Sequence, residues 1–255
     1  MIAAADAAGP SSAITFWIAA AGVPVLLLLV GSQIAGRPWV STRSAPFETQ
    51  PSSLLVLLAF AAYAVGMAAV ALIIDVDTTQ LGALVGLATI FALVGVARFG
   101  VLGRVLRPQG SLLYRIALGL AVCWACLPVV YGLMLIVQLV SGVAPQSHVD
   151  TILNREEGWQ WFVVLAVVVA PLLEEVTVRG LLYCGLRGIW GPRVAIIVSS
   201  ILFGLMHVEP PQVWAPLAVF GVFLAYLVEV TGSLAAPIAA HMAFNALTVG
   251  QLLAT

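Results

Sequence analysis

Long apolar runs, separated by short polar segments, occupy most of this 255-residue chain. Each run ends where charge, proline or glycine interrupts it, and the runs cover residues 13–34, 53–74, 80–103, 112–140, 160–186, 194–208, 213–230 and 234–253. A helix needs about 20 apolar residues to cross a bilayer, where every backbone N–H and C=O must find a partner within its own segment. The pattern therefore predicts an all-α, polytopic membrane helix bundle of about eight transmembrane helices. Because the sixth run is short, we expect it to be little tilted or to end inside a protein-lined cavity.

The composition agrees with a membrane protein. Hydrophobic residues make up 62% of the chain and charged residues 8%, whereas an average soluble domain has about 25% charged residues. The net charge of −1 argues against nucleic acid as a partner and leaves the lipid bilayer as the expected surroundings. All ten basic residues are arginine, which, with abundant Ala, Gly and Pro, indicates a GC-rich bacterial genome. We therefore predict a multi-pass protein of the bacterial cytoplasmic membrane.

Arginine is concentrated in alternate connections between the runs. The arginines that flank the first, third and fifth connections are Arg37, Arg43, Arg98, Arg104, Arg107, Arg115, Arg187 and Arg193. The second, fourth and sixth connections are acidic, apart from a single Arg155. Since arginine-rich loops stay in the cytoplasm, an even number of spans predicts that both termini lie outside.

Ionisable side chains inside the apolar runs are concentrated in the second half of the chain. Such a charge costs about 2.5–3.5 kcal/mol at the bilayer centre, so it usually faces a cavity or a partner. In the fifth run, Glu174 lies about 20 Å from either boundary. Glu175 and Arg179 are four residues apart, which favours an ion pair on one helix face. Glu174 projects about 100° away from Glu175, so we interpret Glu175 as structural and Glu174 as free for chemistry.

Two of the three histidines also lie in apolar runs. His207 ends the sixth run, and His241 shares a helix face with Asn245, four residues later in the eighth run. The third, His148, falls in an acidic outer loop and is interpreted as solvated. A lone buried histidine is usually a core residue, but two histidines beside a buried carboxylate pair favour a functional cluster.

Two kinds of chemistry fit these residues. A carboxylate and an imidazole can activate a water for attack on a carbonyl, while a second imidazole and an amide NH2 donate to the oxyanion. Alternatively, Glu174, His207 and His241 are an ordinary three-ligand zinc set with an open fourth position. The sequence contains no Gly-x-Ser-x-Gly elbow and no His-Glu-x-x-His zinc helix. Hydrolysis through an activated water is therefore the predicted chemistry, with zinc left open.

Three motifs occur in order in the last four runs, each within apolar sequence. They are Glu174-Glu175-x-x-x-Arg179, Phe203-x-x-x-His207 and His241-x-x-x-Asn245. In this order they resemble the signature of the CAAX-protease and bacteriocin-processing (CPBP, or ABI) family of intramembrane proteases. The resemblance covers about residues 158–253, so we divide the chain into two regions. Residues 1–157 form a four-run membrane region without a recognisable motif, and residues 158–255 form a catalytic membrane region.

The resemblance implies an eight-helix fold whose polar cluster opens into a membrane cavity. It also implies that Glu174 activates water together with His207, and that His241 and Asn245 stabilise the oxyanion. The family's common label, intramembrane metalloprotease, would place zinc on Glu174, His207 and His241, and this stays an alternative to a metal-free site.

Three further residues have supporting roles under the same resemblance: Glu175, Arg179 and Phe203. The family usually has an aromatic residue immediately before the arginine, and here that position is Val178. This departure changes the packing beside the ion pair rather than a catalytic group, so it bears on substrate fit.

The resemblance implies an intramembrane endopeptidase whose substrate is a membrane-embedded peptide or a lipidated protein. Eukaryotic members cleave prenylated CAAX proteins, whereas bacterial relatives are associated with bacteriocin maturation or self-immunity. A non-enzymatic protein is the alternative, since a proton-coupled transporter or an immunity or scaffold protein can also place Glu and His inside a bundle. The polar residues are confined to one half of the chain, which favours a single active site over a transporter built from repeats.

Overall fold

The computed structural model of the chain describes residues 22–23, 111–142, 159–207 and 211–254. Within these ranges every regular element is helical. Three helical stretches are long and apolar enough to cross a membrane, namely Leu112–Ser141, Trp159–Leu205 and Trp214–Thr231. The predicted all-α membrane class is thus confirmed for the described part of the chain. Apart from residues 22–23, the first three predicted runs lie outside the described residues, as does His148, and the total of about eight spans and the terminus orientation stay predictions.

Helix α1 spans Leu112–Ser141 and corresponds to the fourth predicted run. It ends at Gly142, whose φ of 67° is the left-handed conformation that glycine adopts at low cost. Cys123 and Cys126 are buried and unbridged, and the Cys126 thiol donates to the Cys123 carbonyl. The pair therefore packs as small hydrophobic side chains within α1.

The fifth and sixth predicted runs form a helical region made of two helices that meet at Gly191. In chain order its parts are α2 (Trp159–Val164), a first π-segment (Leu165–Val169), α3 (Ala170–Glu174), a second π-segment (Glu175–Tyr183) and α4 (Cys184–Leu205). Within α4 the backbone kinks at Gly191, which has a φ of 77° and precedes Pro192. The kink falls where the sequence predicted a connection. π-Segments are rare and occur mostly at functional sites.

The last two helices form an antiparallel pair. Helix α5 spans Trp214–Thr231 and follows a short 3-10 turn, and α6 spans Ala235–Leu253. Gly232, with a φ of 59°, ends α5 and allows the tight reversal. Helix α6 agrees with the eighth predicted run, but it does not count among the three spanning stretches. The polar and small side chains of α6 lower its hydropathy, and several of them, such as His241 and Ala240, are buried inside the protein.

The core of the described region lies where α1, α4, α5 and α6 meet. Fully buried side chains such as Leu127, Phe220 and Leu224 fill it. Helices α4 and α5 approach closely at Gly221, where an added Cβ would come within 3.1 Å of Ser200. This close approach brings the second π-segment, which continues into α4, against α5, while the first π-segment and α3 lie against α6.

Candidate active site

Two consecutive glutamates meet different environments at the junction of α3 and the second π-segment. The Glu175 side chain is 0% exposed, whereas that of Glu174 is 28% exposed. Their roughly 100° separation around the helix explains why one faces the protein core and the other faces an opening. The difference agrees with the sequence interpretation of one structural and one free carboxylate.

The buried Glu175 carboxylate binds two cationic or potentially cationic side chains. Its Oε1 accepts a hydrogen bond from Arg179 Nη1 at 3.0 Å and lies 2.9 Å from His241 Nδ1. Arg179 is also fully buried, so the ion pair predicted from the four-residue spacing is present. Because a carboxylate only accepts, Nδ1 of His241 carries its hydrogen. Glu175 thereby links the second π-segment to α6.

The guanidinium of Arg179 is held on two further sides. Its Nη2 donates to the Gly221 carbonyl at 3.2 Å, and its Cζ lies 4.2 Å from the centre of the Phe203 ring. A Cβ at position 221 would come within 3.2 Å of Nη2, so a side chain there would crowd this contact. A desolvated cation over an aromatic face gains about 2 kcal/mol, which helps to offset the cost of burial.

His207 lies directly after the end of α4 and has a fixed orientation. Its Nδ1 is 2.9 Å from the Phe203 carbonyl, which can only accept, so Nδ1 carries a hydrogen here too. The indole of Trp214, at the start of α5, donates to the His207 carbonyl at 2.6 Å. The ring is 32% exposed, so its remaining nitrogen, Nε2, is free to meet a ligand or substrate.

Two aromatic rings pack against His241, whose side chain is almost fully buried. The Phe203 and Phe220 rings meet it edge-on, with centroids 5.7 and 5.5 Å away. Phe203 also contacts the His207 ring edge-on at 5.1 Å. Phe203 therefore touches both histidines and Arg179, which explains why the motif places a large ring four residues before His207.

The three atoms with free lone pairs converge on one place. Glu174 Oε2 lies 4.0 Å from His207 Nε2 and 3.8 Å from His241 Nε2, and it has no hydrogen-bond partner within the described residues. Neutral histidines protonated on Nδ1 present an acceptor at Nε2. Three acceptors facing each other need a shared proton donor. Separations near 4 Å are too long for direct hydrogen bonds and suit a bridging water.

The acceptor atoms of Glu174, His207 and His241 are farther apart than the ligands of a tetrahedral zinc ion. Zn–N and Zn–O bonds of about 2.0–2.1 Å place tetrahedral ligands about 3.3 Å apart, less than the 3.8 and 4.0 Å found around Glu174. Among the described residues no group of three or more His, Cys, Asp or Glu side chains is close enough to hold a metal ion. The donor types suit zinc, but their spacing in this arrangement is too wide for it.

Asn245 lies on the same helix as His241, yet its amide is already engaged. Its Nδ2 donates to the Ala166 carbonyl in the first π-segment at 2.7 Å. The sequence expected this amide to face the reacting atoms as an oxyanion donor. In the structure at least one of its two hydrogens instead connects α6 to the helical stretch that carries Glu174.

A second polar cluster lies near the other end of the second π-segment. Arg187 forms a bidentate ion pair with Glu229, with Nε–Oε2 and Nη2–Oε1 distances of 2.7 and 2.9 Å. The Tyr183 hydroxyl also donates to Glu229. We call these three residues the paired cluster, and Glu174, His207 and His241 the open cluster. Glu229 is thus an ion-pair partner between α4 and α5 rather than a separate interfacial group.

Sequence reasoning missed several neighbours of the site. Phe220 and Trp214 lie in apolar sequence that contains no motif. The roles of the Ala166 and Gly221 carbonyls could not be predicted either, because any residue type has a backbone carbonyl. The Arg187–Glu229 pair joins residues 42 positions apart, which a single sequence cannot reveal. The opposite charges of these two residues near the same membrane boundary are the one available signal.

The fold and the open cluster together define a helical membrane protein with a hydrolase-like polar site. Residues 156–247 match the family model described as type II CAAX prenyl endopeptidase Rce1-like. That range contains all three motifs, so the match is consistent with the CAAX-protease resemblance that the motifs carry. The chain is also 30% identical over 97 residues to an uncharacterized protein of Mycoplasma capricolum. This segment is 37% of the chain and 28% of that relative. No solved structure gives a significant match to the chain.

Proposed function

We propose that this protein is an intramembrane endopeptidase that cleaves a membrane-associated or lipid-linked peptide by means of an activated water. The single observation that carries the proposal is the convergence of Glu174, His207 and His241 through acceptor atoms that have no donor of their own. The family resemblance supplies the reaction class, and the open cluster supplies a place where one water can be bound and deprotonated.

In the proposed first step, Glu174 acts as general base. A water bridging Glu174 and His207 gives its proton to the carboxylate, and its oxygen bonds to the carbonyl carbon of the scissile peptide. The carbonyl π-bond breaks and its electrons move to the oxygen. The resulting oxyanion needs a donor close by, since such electrostatic stabilisation is usually the largest contribution to catalysis.

His241 is proposed to stabilise that oxyanion as an imidazolium, after its Nε2 has bound a proton from solvent that it releases again when the products leave. Its Nδ1–H already bonds to Glu175, and a buried carboxylate in this position stabilises the ring when Nε2 is protonated. Arg179 and Gly221 keep Glu175 in place. In the last step Glu174 returns its proton to the leaving nitrogen as the C–N bond breaks, which restores the starting carboxylate.

The substrate class follows from the family and from the location of the site. The matched family is that of Rce1-like type II CAAX prenyl endopeptidases. A site within the membrane suits a peptide that its own lipid anchor holds near the bilayer. We therefore propose a lipid-linked or membrane-embedded segment as substrate, and we carry no scissile sequence over to this chain. Residues 158–255 are the proposed catalytic region.

Cleavage of a fluorogenic CAAX-type peptide tests the proposal. Detergent-purified protein is compared with His207→Ala and His241→Ala on a farnesylated peptide and on the same peptide without its lipid. We expect cleavage that prefers the lipidated peptide and falls about 10²–10⁴-fold in each variant. Full activity in either variant would sink the assignment. A folded wild type that cleaves neither peptide, nor a mixture of membrane peptides, would favour the transporter or immunity alternative.

A further inference from the structure

The first π-segment leaves one backbone carbonyl without a donor from its own helix. A helical carbonyl is normally served by the N–H four residues later, or five residues later in a π-helix. For Ala166 these positions are Ala170 and Pro171. The Ala170 N–H donates to Leu165, and Pro171 has no N–H at all. The Ala166 carbonyl is therefore orphaned by the register change and the proline together.

An orphaned carbonyl is costly at this depth in the protein. No water is available in a hydrocarbon core to bind a free C=O, and each such group costs several kcal/mol unless a neighbouring side chain satisfies it. Asn245 supplies that donor, because its Nδ2 lies 2.7 Å from Ala166 O. The donor comes from α6, the helix that also carries His241.

Two side-chain hydrogen bonds therefore connect α6 to the helical region that contains α3. Asn245 binds Ala166 before α3, and His241 binds Glu175 after it. Glu174 lies between them in sequence, and its distance to His241 Nε2 depends on how α3 is set against α6. We propose that Asn245 is a positioning residue that replaces the N–H that Pro171 lacks, and so holds Glu174 in register with His241.

A rescue experiment separates this role from oxyanion donation. Asn245→Ala removes the donor, Pro171→Ala returns a backbone N–H, and the double variant combines them. Pro171 is a buried residue of α3 and is not a member of the open cluster. We expect Asn245→Ala to lower kcat about tenfold or more and to lower the midpoint of thermal unfolding. Pro171→Ala alone stays close to wild type, and the double variant recovers most of both losses.

The two measurements, kcat and the midpoint of thermal unfolding, separate this inference from the proposed function. Only the kcat measurement rests on the proposed function. A double variant that regains its unfolding midpoint but stays as slow as Asn245→Ala would overturn the inference, because the amide would then act on the reacting atoms. If Asn245→Ala does not accumulate as folded protein, the recovery of folded protein in the double variant supports the inference and its absence contradicts it. If wild type cleaves nothing, the proposed function fails while the unfolding comparison still decides this inference.

Discussion

The two polar clusters on either side of the second π-segment contain similar groups in different states of pairing. In the paired cluster, both oxygens of Glu229 bind Arg187, and Tyr183 donates to one of them. In the open cluster, Glu174 Oε2 is buried and meets only histidine nitrogens at 3.8 and 4.0 Å. Glu229 therefore accepts hydrogen bonds from two donor side chains, whereas Glu174 Oε2 faces two histidine nitrogens that can themselves act as acceptors.

This difference distinguishes a structural carboxylate from a chemical one more sharply than burial does. Glu229 and Glu174 are similarly exposed, at 21% and 28% of the side chain, so exposure alone would not separate them. A carboxylate that already accepts hydrogen bonds from an arginine and a tyrosine is a weaker base toward water. Glu174 keeps its capacity to take a proton from water, because the nearby nitrogens of His207 and His241 can orient a water without donating a hydrogen bond to the carboxylate themselves.

Removal of Arg179 should have the largest effect of the changes considered, because it converts a paired buried charge into an unpaired one. Arg179→Leu leaves Glu175 buried without its cation, which costs about 3–5 kcal/mol in comparable cases. We expect loss of folded protein or a large drop in the unfolding midpoint, measured by scanning fluorimetry in detergent. An unchanged midpoint would mean that Glu175 is not held by this pair.

Glu229→Gln probes the paired cluster and should have a smaller effect. It removes the charge of a partly exposed ion pair, whose contribution after solvent screening is about 1 kcal/mol. The unfolding midpoint should fall by a few degrees while kcat stays within about twofold of wild type. A loss of cleavage without loss of stability would show that the paired cluster takes part in the chemistry.

Phe203→Leu tests whether the ring that touches both histidines also supports Arg179. The substitution keeps an apolar side chain but removes a cation–π contact of about 0.5–2 kcal/mol and the edge contacts to the imidazoles. We expect a few-fold decrease in kcat with little change in KM, since Phe203 orients groups rather than binding substrate. An equally large change in KM alone would place Phe203 in the substrate site instead.

Chelation should have the smallest effect, namely none. The acceptor atoms of the open cluster are wider apart than tetrahedral zinc ligands, so cleavage should continue in excess 1,10-phenanthroline or EDTA. Metal analysis of the purified protein provides the control. Stoichiometric zinc together with chelator-sensitive cleavage would restore the zinc alternative.

The sequence predicted the residues of the site better than their connections. The four-residue spacing of Glu175 and Arg179 gave the ion pair correctly, because both lie on one helix. The same spacing suggested that Asn245 faces the reacting atoms, but the spacing could not reveal that Ala166 lacks a backbone donor. Contacts between distant helices, such as Arg187 with Glu229, depend on packing that one sequence does not encode in a readable pattern.

The fold was predicted as a class and only partly in its details. Apolar runs located α1, α5 and α6 to within a few residues. The fifth and sixth runs form two helices that meet at Gly191, inside the predicted connection, because Gly191 has a non-helical backbone conformation and precedes Pro192. The two π-segments had no signal in hydropathy, since they change the hydrogen-bond register and leave the apolar character unchanged.

The most direct test of the central claim compares Glu174→Gln with Glu229→Gln in one cleavage assay. Both variants remove one membrane carboxylate and keep its shape, but Glu229 already accepts hydrogen bonds from Arg187 and Tyr183, whereas Glu174 Oε2 has no donor among the described residues. We predict that Glu174→Gln lowers kcat about 10²–10⁴-fold with an unfolding midpoint near wild type, whereas Glu229→Gln cleaves at a near-normal rate. Comparable activity of the two variants would contradict the account.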